Sequence, residues 1–181
     1  MATDDAINYG AIGMVIGHEI GHGFADQGSK VDGDGKLRNW WTDSDLNAFE
    51  ERAERLVSQY NRYEVLPGLS INGELTQGEN IGDLASLSIA YVAYKKSLAG
   101  KPAPVIDGYT GEQRLFIGMA QGFRGKRRDG AAREQVKTDP HSLSKFRVNG
   151  TAVNVDGFHE AFDVKQGDQL YVPKSERVVI W

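Results

Sequence analysis

VIGHEIGHGF, residues 15–24, sets three ionisable side chains among Val, Ile, Gly and Phe. Polar groups in so apolar a segment are costly unless something pairs with them. Residues 10–25 read as a mostly apolar helix whose glycines permit close packing. Helix residues four apart differ by about 40° in direction, so His18 and His22 leave one face side by side. Two imidazole nitrogens so placed can meet one zinc ion at about 2.0–2.1 Å. Glu19 stands one residue round, beside such a metal instead of on it, where a base for an attacking water is wanted. Four-spaced histidines are also ordinary on helix surfaces, so the pattern alone leaves both readings open.

A catalytic zinc needs a third protein ligand and an open position. GENIGD, residues 78–83, opens a helix otherwise poor in charge and offers Glu79, with Asp83 one turn later on the same face. The helix dipole favours an acid in a first turn, which suits Glu79. Asp83 lies deeper in an apolar stretch and is better explained as a carboxylate that orients a ligand histidine. On the residues alone, His141 and Arg147 belong to an ordinary-looking loop.

The 181 residues, 40% of them hydrophobic, suffice for one domain with a sizeable core. A net charge of −4 lacks the basic balance of a nucleic-acid binder. One basic cluster, Arg124, Lys126, Arg127, Arg128 and Arg133, reads as a solvated helix end and loop. The absence of cysteine excludes disulfides and thiolate metal sites but leaves the compartment open. No run reaches the roughly 18 apolar residues of a membrane span. MATDDAINYG, residues 1–10, is too short and acidic for a signal peptide, so any such signal or anchor is expected upstream.

Along the chain, the pattern predicts a second helix after Thr42 as N-cap, with Leu46, Phe49, Ala53, Leu56 and Val57 on its apolar face. Residues 78–100 read as a third helix, apolar over much of its circumference and so expected to be buried. Thr110 and Gln113 make a capping box before a fourth. Short helices follow at residues 130–138 and over VDGFHEAFDV, where His159 reads as structural. DPHSLSKFRVNG, residues 139–150, reads as a loop or single turn, and RVVIW at 177–181 as a strand or extended tail. SKVDGDGKLRNW and LPGLSINGELT are turn-rich connections. The fold class expected is mainly α with a small β component.

Other motifs fail. The glycines at 10, 13 and 17 do not make GxGxxG, and DGDG at 32–35 lacks the later acids of an EF-hand loop. Asn149-Gly150-Thr151 fits the glycosylation sequon, a common pattern.

NYGAIGMVIGHEIGHGFADQG (8–28), GENIGDLA (78–85), TDPHSLSKFRVNG (138–150) and RVVIW (177–181), in this order, resemble the C-terminal catalytic portion of the neprilysin family. These are gluzincin zinc metallopeptidases with a zincin-like catalytic subdomain, and the likeness runs from about Asp5 to Trp181. The resemblance implies a metalloendopeptidase that hydrolyses short peptides with one zinc per chain. It makes His18, His22 and Glu79 the zinc ligands and Glu19 the base. Asp83 would support the zinc site, with a proton-donor role also assigned to it in the family. His141 would stabilise the oxyanion, and Arg147 would hold a substrate backbone carbonyl. Met14 and Val15 match residues lining the pocket for the residue after the cleaved bond, and Phe123 stands where family members often carry Trp.

Family members are several times longer, with an N-terminal helical domain over the cleft and an Asn-Ala edge strand before the zinc helix. Asn47-Ala48 falls after the zinc motif, inside the second helix, and is not that element. Residues 1–181 are therefore expected to form a single C-terminal peptidase domain, a fragment of a longer protein. The alternative is a zinc-binding module that is catalytically incompetent without the missing part. Oligopeptides are the expected partners, with self-association through surface left bare. The Cys-free terminus points to a bacterial homologue, and the resemblance favours a periplasmic or extracellular location.

Overall fold

Helical pitch changes three times in the first segment of the chain. The computed structural model describes residues 4–25 and 27–181, so part of the reading of residues 1–10 lies outside the described residues. One path runs through α1 (Asp5–Asn8), a π-helical turn (Tyr9–Gly13), α2 (Met14–Gly21) and a 3₁₀ turn (His22–Phe24). It starts before the expected residue 10 because Asp4 caps it, accepting from Ala6 N at 3.0 Å. Arg114, itself buried, fixes that cap by donating to Asp4 Oδ2 at 2.6 Å. So distant a partner leaves no local signal.

Thr42 caps α3 (Asp43–Asn61), whose buried Phe49, Ala53, Leu56 and Val57 follow the predicted spacing. The small β component is a hairpin, β1 (Glu64–Leu66) against β2 (Leu69–Ser70), with Glu64 opposite Ser70 and Leu66 opposite Leu69. Pro67 and Gly68 turn the chain between them, and Gly68 takes a positive φ of 72° that favours glycine. RVVIW adds no strand. It is an extended tail held by Arg52, which donates to the Ile180 carbonyl at 2.9 Å, and by Trp181 stacked on Phe49.

The central element is α4 (Gln77–Ser97), which buries Ile81, Leu84, Leu87, Ala90 and Tyr94. Its burial is less complete than the sequence suggests: Ile89 and Val92 are 57% and 51% exposed. The crossing of α2 over α4 is close because glycine permits it. A Cβ on Gly82 would lie 2.9 Å from the His18 ring, and one on Gly17 would lie 3.1 Å from Ser86 Cβ. Beyond α4 come α5 (Gly111–Gly122), opened by the Thr110–Gln113 capping box, and α6 (Asp129–Thr138). The chain then forms α7 (Ser144–Ala152) and α8 (Asp156–Ala161).

The helix α7 corrects the expected loop at residues 139–150. Asn149, Gly150 and Thr151 are weak helix formers. Here tertiary packing overrides propensity: Phe146 stacks on Tyr63, and Tyr60 donates to the Phe146 carbonyl at 3.2 Å. Thr151 is fully buried within this helix, a poor setting for the sequon. Among the described residues no helix is long and apolar enough to cross a membrane.

Candidate metal centre and active site

The crossing of α2 and α4 brings His18, His22 and Glu79 together. Among the described residues, these three have donor atoms that all lie within 4.8 Å of one another. His18 Nε2 is 3.1 Å from Glu79 Oε2, and His22 Nε2 is 3.5 Å from Glu79 Oε1. Donors on one tetrahedral zinc at about 2.0–2.1 Å would stand about 3.3 Å apart, and the separations of each imidazole from the Glu79 carboxylate are of that order. Glu79 Oε2 is buried and accepts no aligned hydrogen bond. Its neighbours are His18 Nε2, His141 Nε2 and Arg147 Nη2 at 3.1, 3.1 and 3.5 Å, and a buried carboxylate oxygen with no aligned donor among them is one that a cation would satisfy. The donor set, two imidazoles and a carboxylate, is also that of catalytic zinc sites.

Asp83 sits behind these three side chains with no exposed side-chain surface. Its Oδ1 lies 2.9 Å from His18 Nδ1, so the expected orienting role has its geometry. Without a metal, the carboxylates of Asp83 and then Glu79 push the His18 imidazolium up to about pKa 9. Burial would raise the Glu79 carboxyl, but neighbouring His18, His141 and Arg147 outweigh it and hold the group below its ordinary range.

His141 and Arg147 reach the same place from the loop before α7 and from α7 itself. His141 Nε2 is 3.1 Å from Glu79 Oε2. Arg147 forks Asp83, with Nε to Oδ2 and Nη2 to Oδ1 both at 2.7 Å, and its guanidinium lies over the Phe123 ring at 4.7 Å. A cavity of about 200 Å³ is lined by Met14, Val15, His18, Glu19, Glu79, Asp83, Phe123, His141 and Arg147. Every residue given a role in the candidate site by the sequence is thus at this cavity or, for His22, at the metal cluster beside it. Met14 is buried while Val15 is 44% exposed, so the two form base and rim.

Sequence reasoning missed Asp139. Its Oδ1 accepts from the His141 backbone N–H at 2.9 Å and lies 2.8 Å from Nδ1 of the same ring. This leaves Nε2 facing the cluster. The signal was present: an Asp two residues before another residue's N–H, with Pro140 between, is an Asx turn. The basic cluster at 124–133 is solvent-exposed, as expected, and His159 is structural, its Nε2 2.8 Å from the Val153 carbonyl oxygen.

The model of peptidase family M13 matches residues 1–178 of the chain. Neprilysin-11 of Caenorhabditis elegans is 42% identical over 181 residues, covering 97% of this chain and 21% of the relative. Endothelin-converting enzyme 1 of Rattus norvegicus is 42% identical over 173 residues, 93% of this chain and 22% of the relative. A solved structure of a Mycobacterium tuberculosis zinc metalloprotease in complex with inhibitor superposes with a TM-score of 0.95 at 53% identity. It covers 99% of this chain and 28% of that one. The chain therefore spans between a fifth and a third of the length of these relatives. Identity is higher to the mycobacterial protein than to the two animal ones, in keeping with the bacterial-type expectation.

Proposed function

The chain belongs to peptidase family M13, and on that footing we propose that it carries the zinc centre of a metalloendopeptidase acting on short peptides. One observation carries the reading: the three donors converge on the wall of a cavity that Glu19, His141 and Arg147 also line. His18, His22 and Glu79 would hold one zinc. When bound, that ion polarises the peptide carbonyl and acidifies an adjacent water.

The chain's own groups do the rest. Glu19 takes the proton of the attacking water. Asp83 holds the His18 ring through Nδ1 and keeps Arg147 in place. Asp139 fixes His141 so that Nε2 donates to the oxygen on which negative charge develops. Nη1 of Arg147, which Asp83 does not engage, is left for a substrate backbone carbonyl. Met14, Val15 and Phe123 take the apolar side chain after the cleaved bond.

On this reading residues 1–181 act as one catalytic unit, the C-terminal part of such an enzyme, working outside the cytoplasm on oligopeptides. Exposed Ile12, Ile16 and Ile20 favour self-association when the chain stands alone. Elemental analysis and peptide hydrolysis with and without chelator test the proposal. One zinc per chain with chelator-sensitive cleavage is the expected result. Zinc without cleavage would leave a metal-binding module that needs further chain, and neither would sink the assignment.

A further inference from the structure

The zinc-ligand helix and the His141 loop are joined by the residues next in sequence to Glu79 and His141. Ser142 Oγ donates to Asn80 Oδ1 at 2.8 Å, with both side chains buried. Asn80 Nδ2 in turn donates to Thr76 Oγ1 at 2.9 Å, and Thr76 Oγ1 donates to the Asn72 carbonyl at 2.9 Å. This chain of donors fixes the Asn80 amide: its oxygen must face Ser142 and its nitrogen must face the start of α4. From the other side, Gln135 on α6 donates through Nε2 to the His141 carbonyl at 3.0 Å and also reaches the Ser142 carbonyl.

We propose that Asn80 and Ser142 form a buried clasp that sets the distance between His141 and Glu79, making both positioning residues for peptide hydrolysis. The proposal rests on the peptidase reading above for its catalytic consequence, but not for its structural one. Residues 139–143 are otherwise held by Gln135 on α6 and by Leu143 packed against the core, neither of which bonds the start of α4. The Asp139–His141 contacts lie within the loop and turn the ring without locating it. Apart from the His141–Glu79 pair, which belongs to the site itself, the Asn80–Ser142 bond ties loop to helix directly, one residue from each of the two functional side chains. With His141 Nε2 only 3.1 Å from Glu79 Oε2, a shift of about 1 Å in the loop would move the donor off the developing charge, a displacement that can cost about 100-fold in rate.

The test uses the protein as its gene encodes it, with Ser142→Ala and Ser142→Thr. The alanine variant should keep its zinc and its KM within about threefold, while kcat falls about 10- to 100-fold. Threonine restores the hydroxyl and should recover most of kcat. Hydrogen–deuterium exchange supplies a readout independent of turnover. Backbone amides of residues 139–147 should exchange faster in the alanine variant and return toward wild type in the threonine variant, with α3 and α5 unchanged. Unaltered kcat and unaltered exchange in Ser142→Ala would overturn the clasp, as would a kcat loss matched by zinc loss. A wild type that cleaves no peptide would remove the peptidase reading. The exchange result would still decide whether the clasp holds the loop.

Discussion

Arg147 and Asp83 form a two-pronged pair, with Nε and Nη2 each donating to a different carboxylate oxygen at 2.7 Å. Asp83 is fully buried and the Arg147 side chain is 14% exposed. Removing the arginine therefore leaves a buried carboxylate with the His18 ring as its remaining partner. Arg147→Ala is expected to lower stability by about 3 kcal/mol, the scale for breaking a buried pair, as well as reducing turnover. Arg147→Lys should recover little of either, since a point charge does not reproduce the fork. Urea titration of both variants decides it; an alanine variant as stable as wild type would make Arg147 a purely substrate-facing group.

Asp83 also touches His18, a proposed zinc ligand, and Asp83→Asn separates orientation from charge. The amide keeps the volume but no longer offers an anion to His18 Nδ1. Metal affinity is expected to drop about 10- to 100-fold, the effect seen when the outer partner of a ligand histidine is altered. Competition against a chromophoric chelator measures this, and an unchanged dissociation constant would show that Asp83 serves Arg147 alone.

These two partnerships show what a linear sequence can and cannot tell. HEIGH and ENIGD carry their own geometry, because helical spacing alone puts His18 beside His22 and Asp83 one turn below Glu79. Local chemistry likewise marked Thr42 and the Thr110–Gln113 box. What escaped is non-local. The helix at Ser144–Ala152 is made by tyrosines 60 and 63, far away in sequence, against a run of residues with weak propensity. The partner of Arg147 lies 64 residues upstream. His141 seemed isolated because the loop that carries it is located only by the packing of α4 and α6 around it.

The raised pKa of His18 gives metal binding a pH dependence of definite sign. Below about 9 the metal-free ring carries a proton that zinc must displace. Apparent affinity should therefore rise about tenfold per pH unit up to that value from this proton, then level off. Calorimetry in buffers of different ionisation heat should show about one proton released at His18. For the metal-free fold the sign is opposite. A folded pKa raised from 6.5 contributes stability fully below 6.5, and that stability is lost as pH rises through about 9. Chelator-treated protein should melt more easily at high pH, and equal melts at pH 6 and 9.5 would contradict the pairing.

Glu19 lines the cavity but is not among the three converging donors. Glu19→Gln leaves all of those in place and keeps the side chain's size. Zinc content should be unchanged while hydrolysis falls by several orders of magnitude, since the group that activates water is gone. Near-normal cleavage in this variant would mean that another residue is the base.

The outer face of the π-helical turn and α2 leads to the last expectation. Ile12, Ile16 and Ile20 recur every four residues and are 58%, 55% and 63% exposed. On the neighbouring α4, Leu84, Ile89 and Val92 edge an apolar groove of about 450 Å³ with Val179 and Trp181. Single exposed aliphatics are common, but a repeating stripe, like an apolar groove, is a surface that water covers poorly. The 181-residue chain alone should then self-associate in a concentration-dependent way. Ile16→Lys with Ile20→Lys, which places charge on the stripe without touching the metal ligands, should shift it to monomer. Light scattering across a concentration series reads this directly. A wild-type chain that stays monomeric throughout would show that the exposed stripe is tolerated in solution as it stands.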